Sequence, residues 1–149
     1  MPVGELCIRE TIVVGREESA LEVARLMRQH HVGDVVVVDE VEGRKIPVGI
    51  VTDRDLAVEI MAMGIQPEAL SAGEIMSDGL ATIGEERGVF EAIGYMRSLG
   101  VRRLPVVDDR GALIGILTLD DLLELLAEEL SDIARLLKCE RRKEMRRRA

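Results

Sequence analysis

Most of this sequence is present twice. A shift of 69 positions places residues 3–39 on residues 72–108 without a gap, so that Val37-Val38-Asp39 falls on Val106-Val107-Asp108. After a three-residue difference the register resumes at an offset of 66, where residues 48–52 meet 114–118. Self-similarity at a fixed spacing predicts two copies of one structural unit that pack against each other.

Each copy reads as strand, helix, strand, strand, helix. In the first copy, short apolar runs predict strands over residues 12–14, 35–38 and 48–51. Ser19 and Glu22 have the capping-box spacing that begins a helix between the first two strands. The charged residues 40–45 predict a turn, and a second helix is expected from Asp53 to Met63, ended by Gly64 in a left-handed conformation.

The second copy follows the same plan with a tighter turn over residues 108–111. Its last helix starts near Leu119 and could run well past Leu130. We therefore predict an α/β chain with mixed sheets (α+β), built from β-α-β-β-α repeats over residues 1–65 and 72–130. Residues 66–71, with Pro67, form the linker, and residues 131–149 form a C-terminal helix and basic tail.

The core of such a fold must be aliphatic. The chain has 149 residues, of which 47% are hydrophobic, with one Phe, one Tyr and no Trp. Runs of Val, Ile and Leu are typical of strands buried on both faces, and they provide no aromatic platform for single-stranded nucleic acid.

The charge is unevenly distributed along the chain. The net charge of −8 argues against a general nucleic-acid binder, which needs a cationic surface. From Lys138 onward, however, seven basic residues face two acidic ones, which leaves 13 basic and 26 acidic residues, or −13, on the rest of the chain. This basic tail is either a solvated helix end or a docking segment for an acidic partner, nucleic acid or anionic lipid.

Other sites and locations have little support in the sequence. Cys7 and Cys139 are too few and too far apart for a disulfide framework or a thiolate metal site. His30 and His31 are interpreted as a helix end, and Met27, Met61, Met63, Met76 and Met96 as core residues. No nucleophile with its base, P-loop, secretory signal or membrane span is found, so we expect a non-catalytic, cytoplasmic protein without a metal.

Each copy ends in Gly-apolar-apolar-Thr-x-x-Asp. The residues are Gly49-Ile50-Val51-Thr52-Asp53-Arg54-Asp55 and Gly115-Ile116-Leu117-Thr118-Leu119-Asp120-Asp121, supported by residues 31–39 and 101–108. Over residues 3 to about 128 the chain resembles the CBS domain, named after cystathionine β-synthase, in its usual tandem pair or Bateman module. The resemblance implies two units with pseudo-two-fold symmetry, clefts at their seam, and dimerisation into a flat disc.

The resemblance also implies a function. Such modules bind AMP, ADP, ATP, S-adenosylmethionine or NAD-like ligands and transmit occupancy to an enzyme, transporter or channel. No cofactor is obligatory, and we expect the regulated protein to be a separate chain. The implied binding positions are Ile12, Val13, Val14, Gly33, Asp34, Thr52, Asp53, Arg54, Asp55, Ala81, Thr82, Ile83, Arg102, Arg103, Pro105, Thr118, Asp120 and Asp121. Asp55 and Asp121 would accept hydrogen bonds from a ribose, and Arg102 and Arg103 would meet phosphate.

Two alternatives remain at this point. Thr-x-x-Asp is also an ordinary helix cap, so the chain could be a structural dimerisation module with vestigial clefts that acts through its basic tail. The two clefts are also expected to differ, because Gly33-Asp34 stands where the second repeat has Arg102-Arg103. A carboxylate at that position would repel phosphate, so one cleft is either empty or suited to an uncharged adenosyl group.

Overall fold

Two small sheets organise the molecule. The computed structural model describes residues 1–149. One sheet has the strand order β1-β2-β3 and the other β4-β5-β6. The strands are β1 Val13–Val14, β2 Asp34–Val41, β3 Arg44–Thr52, β4 Ile83–Gly84, β5 Arg103–Val107 and β6 Leu113–Thr118. The helices are α1 Val3–Leu6, α2 Ala20–His30, α3 Asp53–Asp55, α4 Ala72–Ile75, α5 Val89–Leu99 and α6 Leu119–Arg148. The predicted α/β fold with mixed sheets is confirmed.

The two sheets have the same internal pairing. In each, a two-residue strand lies parallel to the central strand, which pairs antiparallel with the last one. Both ladders carry an irregularity at equivalent places, between Val37 and Val38 and between Val106 and Val107. The duplication therefore extends to the register of the strands.

The hairpin of the first sheet is longer than predicted. Val41 pairs with Arg44, so the turn is Glu42-Gly43 alone and not residues 40–45. Both turn residues have positive φ, +53° and +76°, as a two-residue hairpin turn of the primed type requires. The charged residues that suggested a loop lie on the exposed end of the hairpin, where strand pairing tolerates them.

The helix ends follow the predicted capping. The Ser19 side chain accepts a hydrogen bond from the Glu22 amide at 3.2 Å. His31 ends α2 in the left-handed region at φ +54°, at the position where the second repeat has Gly100 at φ +67°. After α3 the chain continues as a π-helix over Leu56–Met61, and Gly64 has φ +65°.

The π-helix leaves two methionines outside the core. Met27 and Met96 are buried, as predicted, but Met61 is 80% and Met63 68% exposed. Their assignment to the core was wrong. The assignment was made because these methionines lie in apolar stretches of the sequence, but Met61 is on the exposed side at the end of the π-helix and Met63 lies in the turn that follows it.

The short segment that precedes each repeat in sequence packs in the core of the other repeat. Val3 and Cys7 belong to a core cluster formed otherwise by the second repeat, with Leu104 and Leu117 among its members. In the same way, Ala72 packs in the core cluster of the first repeat. The backbone bonds repeat as well: Val3 N donates to Arg87 O at 2.8 Å, and Ala72 N donates to Glu18 O at 2.7 Å. The two repeats therefore share their cores.

The motif glycines allow these segments to pass. A Cβ on Gly115 would lie 2.6 Å from the Ile8 carbonyl oxygen and 2.8 Å from the Cys7 Sγ. Ile8 and Ile116 exchange two backbone hydrogen bonds of 3.0 Å at this crossing. Gly49 is equally crowded, by the side chain of Met76. The glycine that opens each Gly-x-x-Thr-x-x-Asp motif is therefore required by packing.

The sheets meet through a small apolar cluster. Val36, Val38 and Ile50 from the first sheet pack with Ile116 from the second, and Leu80 and Leu113 flank them. This seam places the carboxyl end of β3 next to the start of β5. The loops at that edge form the site described below.

Gly115→Ala should destabilise the protein, because the new methyl group meets a backbone carbonyl that cannot move without breaking the Ile8–Ile116 bridge. Overpacking of this kind costs about 1–3 kcal/mol. Gly94→Ala is the matched control: Gly94 lies inside α5 with no atom within 4 Å of its added Cβ, and the change should stabilise by about 0.5–1 kcal/mol. Urea denaturation measures both, and equal effects of the two substitutions would contradict the crossing.

Candidate functional site

The two Thr-x-x-Asp motifs are complete capping boxes. Asp55 N donates to Thr52 Oγ1 at 3.2 Å, and Thr52 N donates to Asp55 Oδ2 at 2.8 Å. The corresponding distances at Thr118 and Asp121 are 3.2 and 3.0 Å. These residues therefore act as helix caps, because they satisfy amide groups at the start of α3 and α6.

Capping does not use the whole carboxylate. In both boxes the aspartate accepts the hydrogen bond from the threonine amide through its Oδ2 atom. The second oxygen of Asp55 keeps its lone pairs for another donor, such as a sugar hydroxyl. The repeats differ in the threonine, because the Thr118 hydroxyl also donates to Asp121 at 2.8 Å, whereas the Thr52 hydroxyl makes no such bond to Asp55. Thr52 thus has a hydroxyl proton to offer a ligand.

A cleft of about 640 Å³ opens beside the first capping box. Thr52, Asp53, Arg54 and Asp55 line it from the first repeat, and Ala81, Arg102 and Arg103 from the second. Its apolar wall contains Ile50, Leu80 and Leu104. Pockets for small ligands have volumes of about 300–1,000 Å³ with a few polar groups on an apolar lining, so this cleft has a suitable size and composition. Seven of the eighteen predicted binding residues meet there.

The other predicted residues lie outside this cleft. By their place in the duplicated sequence, Thr118, Asp120, Asp121, Gly33, Asp34 and Ile12 are the counterparts of the cleft residues Thr52, Arg54, Asp55, Arg102, Arg103 and Ala81, and Val13 is the counterpart of Thr82. Val14 is buried in the core of the first repeat, and Pro105 is fully buried in β5. Thr82 and Ile83 line a separate cavity of about 400 Å³ with Arg87, Glu91 and Tyr95.

The cleft mixes both signs of charge. Its cations are Arg54, Arg102 and Arg103, and its acidic residues are Asp53, Asp55 and Asp78. Arg102 is exposed at the mouth, and its carbonyl accepts a 2.8 Å hydrogen bond from Leu119 N, which fixes the backbone of residue 102 at the start of α6. A ligand with both hydroxyl groups and an anionic group matches this arrangement, since carboxylates accept from hydroxyls and guanidinium groups bind phosphate.

Asp34 and Arg103 meet across the pseudo-two-fold axis. They occupy the same position in the two repeats, 69 residues apart, and Arg103 Nε lies 3.5 Å from Asp34 Oδ2. The geometry is that of an ion pair without a hydrogen bond, because Arg103 Nε is buried and has no hydrogen-bond partner. The two equivalent positions thus hold opposite charges, which makes the two halves electrostatically different.

Burial raises the pKa of the Asp34 carboxyl above its ordinary value. Arg103 opposes this shift and Asp53 adds to it, but desolvation is the largest cause. Asp39 is the contrasting case: hydrogen bonds of 2.9 and 3.0 Å from the Arg16 guanidinium lower the pKa of its carboxyl. The ionised form of Asp34 is therefore less favourable in the folded chain than in the unfolded chain.

The sequence interpretation missed part of the lining. Ser77, Asp78 and Gly79 form one edge of the cleft, and Leu99 and Val101 another. Gly79 has φ +70°, which marks a turn just before β4. A Ser-Asp-Gly sequence is a turn signal, and attention to it would have placed this loop near the strand ends.

A model of the CBS domain matches residues 3–62 and 72–128, one match for each repeat. The chain belongs to the CBS-domain family. An uncharacterised protein of Methanopyrus kandleri is 42% identical over 123 residues, which cover 83% of this chain and 61% of that protein. The chain thus spans less than two thirds of this curated relative's length.

Two solved CBS structures are similar to this chain. The CBS domain pair of protein MJ0100, in complex with 5′-methylthioadenosine and S-adenosyl-L-methionine, has a TM-score of 0.72 and 26% identity, and the match covers 85% of this chain and 99% of that one. The cytosolic domain of the Mg²⁺ channel MgtE, in complex with ATP, has a TM-score of 0.69 and 29% identity, with coverage of 83% and 48%. This chain is therefore a CBS-pair module with relatives that bind adenosyl ligands.

No helix of this CBS pair combines the length and the hydropathy that crossing a bilayer requires.

Asp34→Asn should raise the free energy of unfolding at pH 7. A raised pKa means that the ionised carboxyl is less favourable in the folded chain than in the unfolded one. This cost appears as the pH rises above the ordinary value of 3.8 and is complete above the folded pKa, so the advantage of the variant vanishes in strongly acidic solution.

Asp39→Asn serves as the control with the opposite sign. Its lowered pKa contributes stability at neutral pH, which is lost as the pH falls through the folded value. Denaturant titrations at pH 7 and at acidic pH measure both variants. Destabilisation by Asp34→Asn at pH 7 would show that attraction to Arg103 outweighs the burial of the carboxyl.

Proposed function

We propose that this CBS pair is a non-catalytic sensor that binds an adenine nucleotide or another adenosyl ligand and signals its occupancy to a separate protein. The observation that carries this proposal is the cleft that Asp55, whose cap uses only Oδ2, lines together with Arg102 and Arg103. A homodimer and a cytoplasmic location belong to the same proposal.

A nucleotide matches the lining group by group. The ribose hydroxyls donate to Asp55, and Thr52 contacts the ribose or the phosphate. The phosphates meet Arg102 and Arg103, because planar guanidinium groups bind phosphate oxygens in pairs. The adenine lies on Ile50, Leu80 and Leu104, with backbone groups near residues 80–83 along its edge. Each element of the ligand thus has a partner of suitable chemistry.

The second cleft is proposed to take a different ligand. Gly33 and Asp34 stand there in place of Arg102 and Arg103, and Asp34 is 19% exposed. A carboxylate repels phosphate, whereas it tolerates an uncharged or cationic adenosyl compound such as 5′-methylthioadenosine or S-adenosylmethionine. The solved relatives support both classes, since one binds methylthioadenosine and S-adenosylmethionine and another binds ATP.

Occupancy can be transmitted because the cleft has walls from both repeats. Residues 50–55 come from the first repeat and residues 99–104 from the second. A ligand that contacts both stabilises one relative position of the two halves, and its effect is limited to its difference in affinity between the positions. A partner protein that binds the repeats can detect this shift.

A second candidate is a structural module with vestigial clefts that acts through its basic tail. It is favoured by the two capping boxes, which are complete without a ligand. For that module, no nucleotide would change the melting temperature, and removal of residues 140–149 would abolish partner binding.

Nucleotides should raise the melting temperature of the purified protein. A ligand that binds only the folded state stabilises it by about 2.7 kcal/mol at a concentration one hundred times its dissociation constant. The panel is AMP, ADP, ATP, NAD, S-adenosylmethionine and methylthioadenosine, with GTP and ribose 5-phosphate as controls for base and sugar. The absence of any shift across the adenosyl compounds would contradict the sensor proposal.

Asp55→Asn should weaken nucleotide binding by about one to two orders of magnitude, because a hydrogen bond to a charged group contributes about 1.5–3 kcal/mol. The amide oxygen can still accept from Thr52 N, so the cap is retained. Asp121→Asn is the matched control in the other repeat and should leave the affinity for ADP unchanged. Isothermal titration calorimetry gives both values.

Arg102→Gln separates phosphate recognition from sugar recognition. We expect it to lower the affinity for ADP while leaving that for adenosine unchanged, because only the phosphates interact with the guanidinium group. An equal loss for both ligands would contradict the assigned role of Arg102.

A further inference from the structure

The last helix extends far beyond the body of the protein. Leu122 is buried in the core of the second repeat, and every residue from Leu126 to the end of α6 is exposed. At 1.5 Å per residue, the segment from residue 126 to residue 148 is about 35 Å long. Packing within its own chain therefore does not account for this segment.

This exposed segment carries an apolar stripe. Leu123, Leu126, Leu130, Ile133 and Leu137 recur at intervals of three, four, three and four residues and are 38–67% exposed. Alternation of this kind is typical of the seam of a coiled coil. Ala127 and Ala134 follow the stripe on one side, where small side chains allow another helix to approach closely.

The charges of α6 are separated along its length. Residues 119–134 contain six acidic and no basic residues, a net charge of −6. Residues 135–148 contain eight basic and two acidic residues, a net charge of +6. The helix dipole favours this order within one helix, but it does not account for the leucines. Two copies in opposite directions would place each acidic half beside a basic half.

We propose that this helix pairs with the same helix of a second copy in antiparallel orientation. The pairing is centred between Leu130 and Ile133, so that Leu130 packs on the partner's Ile133 and Leu126 on the partner's Leu137. The centre of the surface, Leu130 and Ile133, lies beyond residue 128, where the CBS match ends. The pairing is therefore distinct from contacts made by the repeats and does not rest on the proposed ligand.

Electrostatics selects the antiparallel arrangement over the parallel one. A parallel pair would set the basic halves side by side, and like charges at close range repel. In the antiparallel pair, residues 141–144 lie beside the first turn of the partner's helix, and residues 145–148 pass its start and reach a body that carries −13 over residues 1–137. An anionic membrane or nucleic acid would use the basic residues but leave the apolar stripe uncovered.

Directed disulfides test the orientation. In a Cys139→Ser background, Leu126→Cys and Leu137→Cys are made separately, and the two proteins are mixed and oxidised. We expect a disulfide-linked dimer in the mixture only, since the antiparallel pair brings residues 126 and 137 together. Equal residues lie about 16 Å apart along the helices, too far for a bond that needs Cα atoms within about 7 Å.

Each other outcome overturns the proposal. Dimers in either protein alone would show a parallel pair, and no dimer in the mixture would show that the helices do not meet. Glu128→Cys, on the opposite face of the helix, should not cross-link. Leu130→Asp together with Ile133→Asp should abolish the cross-link while the circular dichroism spectrum shows a folded chain, because neither side chain belongs to the core of its own chain. An undiminished cross-link would exclude the stripe as the seam.

Discussion

The fold depends on an exchange of short segments between the repeats. The short helices α1 and α4 each supply core residues to the repeat at the other side of the seam. The exchange requires glycines at positions 49 and 115, because the crossing segment lies directly on the strand. It also links the cores of the two halves, because each contains residues from the segment that precedes the other.

The residues that cap the helix are also the residues proposed to bind the ligand. Thr52 and Asp55 complete the amide hydrogen bonding of the helix start, and this capping fixes the carboxylate in the orientation in which its other oxygen is available. Preorganised polar groups bind a ligand with less loss of side-chain entropy. The stability role thus makes a ligand role less costly, and the two interpretations of the motif do not exclude each other.

Much of the fold could be predicted because its causes are local or repeated. The duplication fixed the element order, and the capping residues Ser19, Thr52 and Thr118 fixed the helix starts. The exchange of segments could not be predicted, because the 69-residue spacing of the repeats does not show whether Val3 packs in the core of the first repeat or of the second. Met61 and Met63 were misplaced because they stand in an apolar stretch of the sequence, which does not tell that the end of the π-helix and the turn after it are exposed. Seven cleft residues were identified through the family motif, whereas residues 77–79 and 99–101 join the cleft only through the packing of the sheets.

The asymmetry between the repeats determines what the module can do. A perfect duplicate would place identical charges on the axis, and two arginines or two aspartates at positions 34 and 103 would repel each other there. Opposite charges at these positions avoid that repulsion, although burial makes the ionised Asp34 carboxylate less favourable, and Arg102 and Arg103 have Gly33 and Asp34 as their counterparts in the other half. The α6 helix follows the same physical rule along its length, with opposite charges in its two halves. Opposite charges distinguish the two repeats at positions 34 and 103, and in the proposed pairing of α6 they favour the antiparallel orientation over the parallel one.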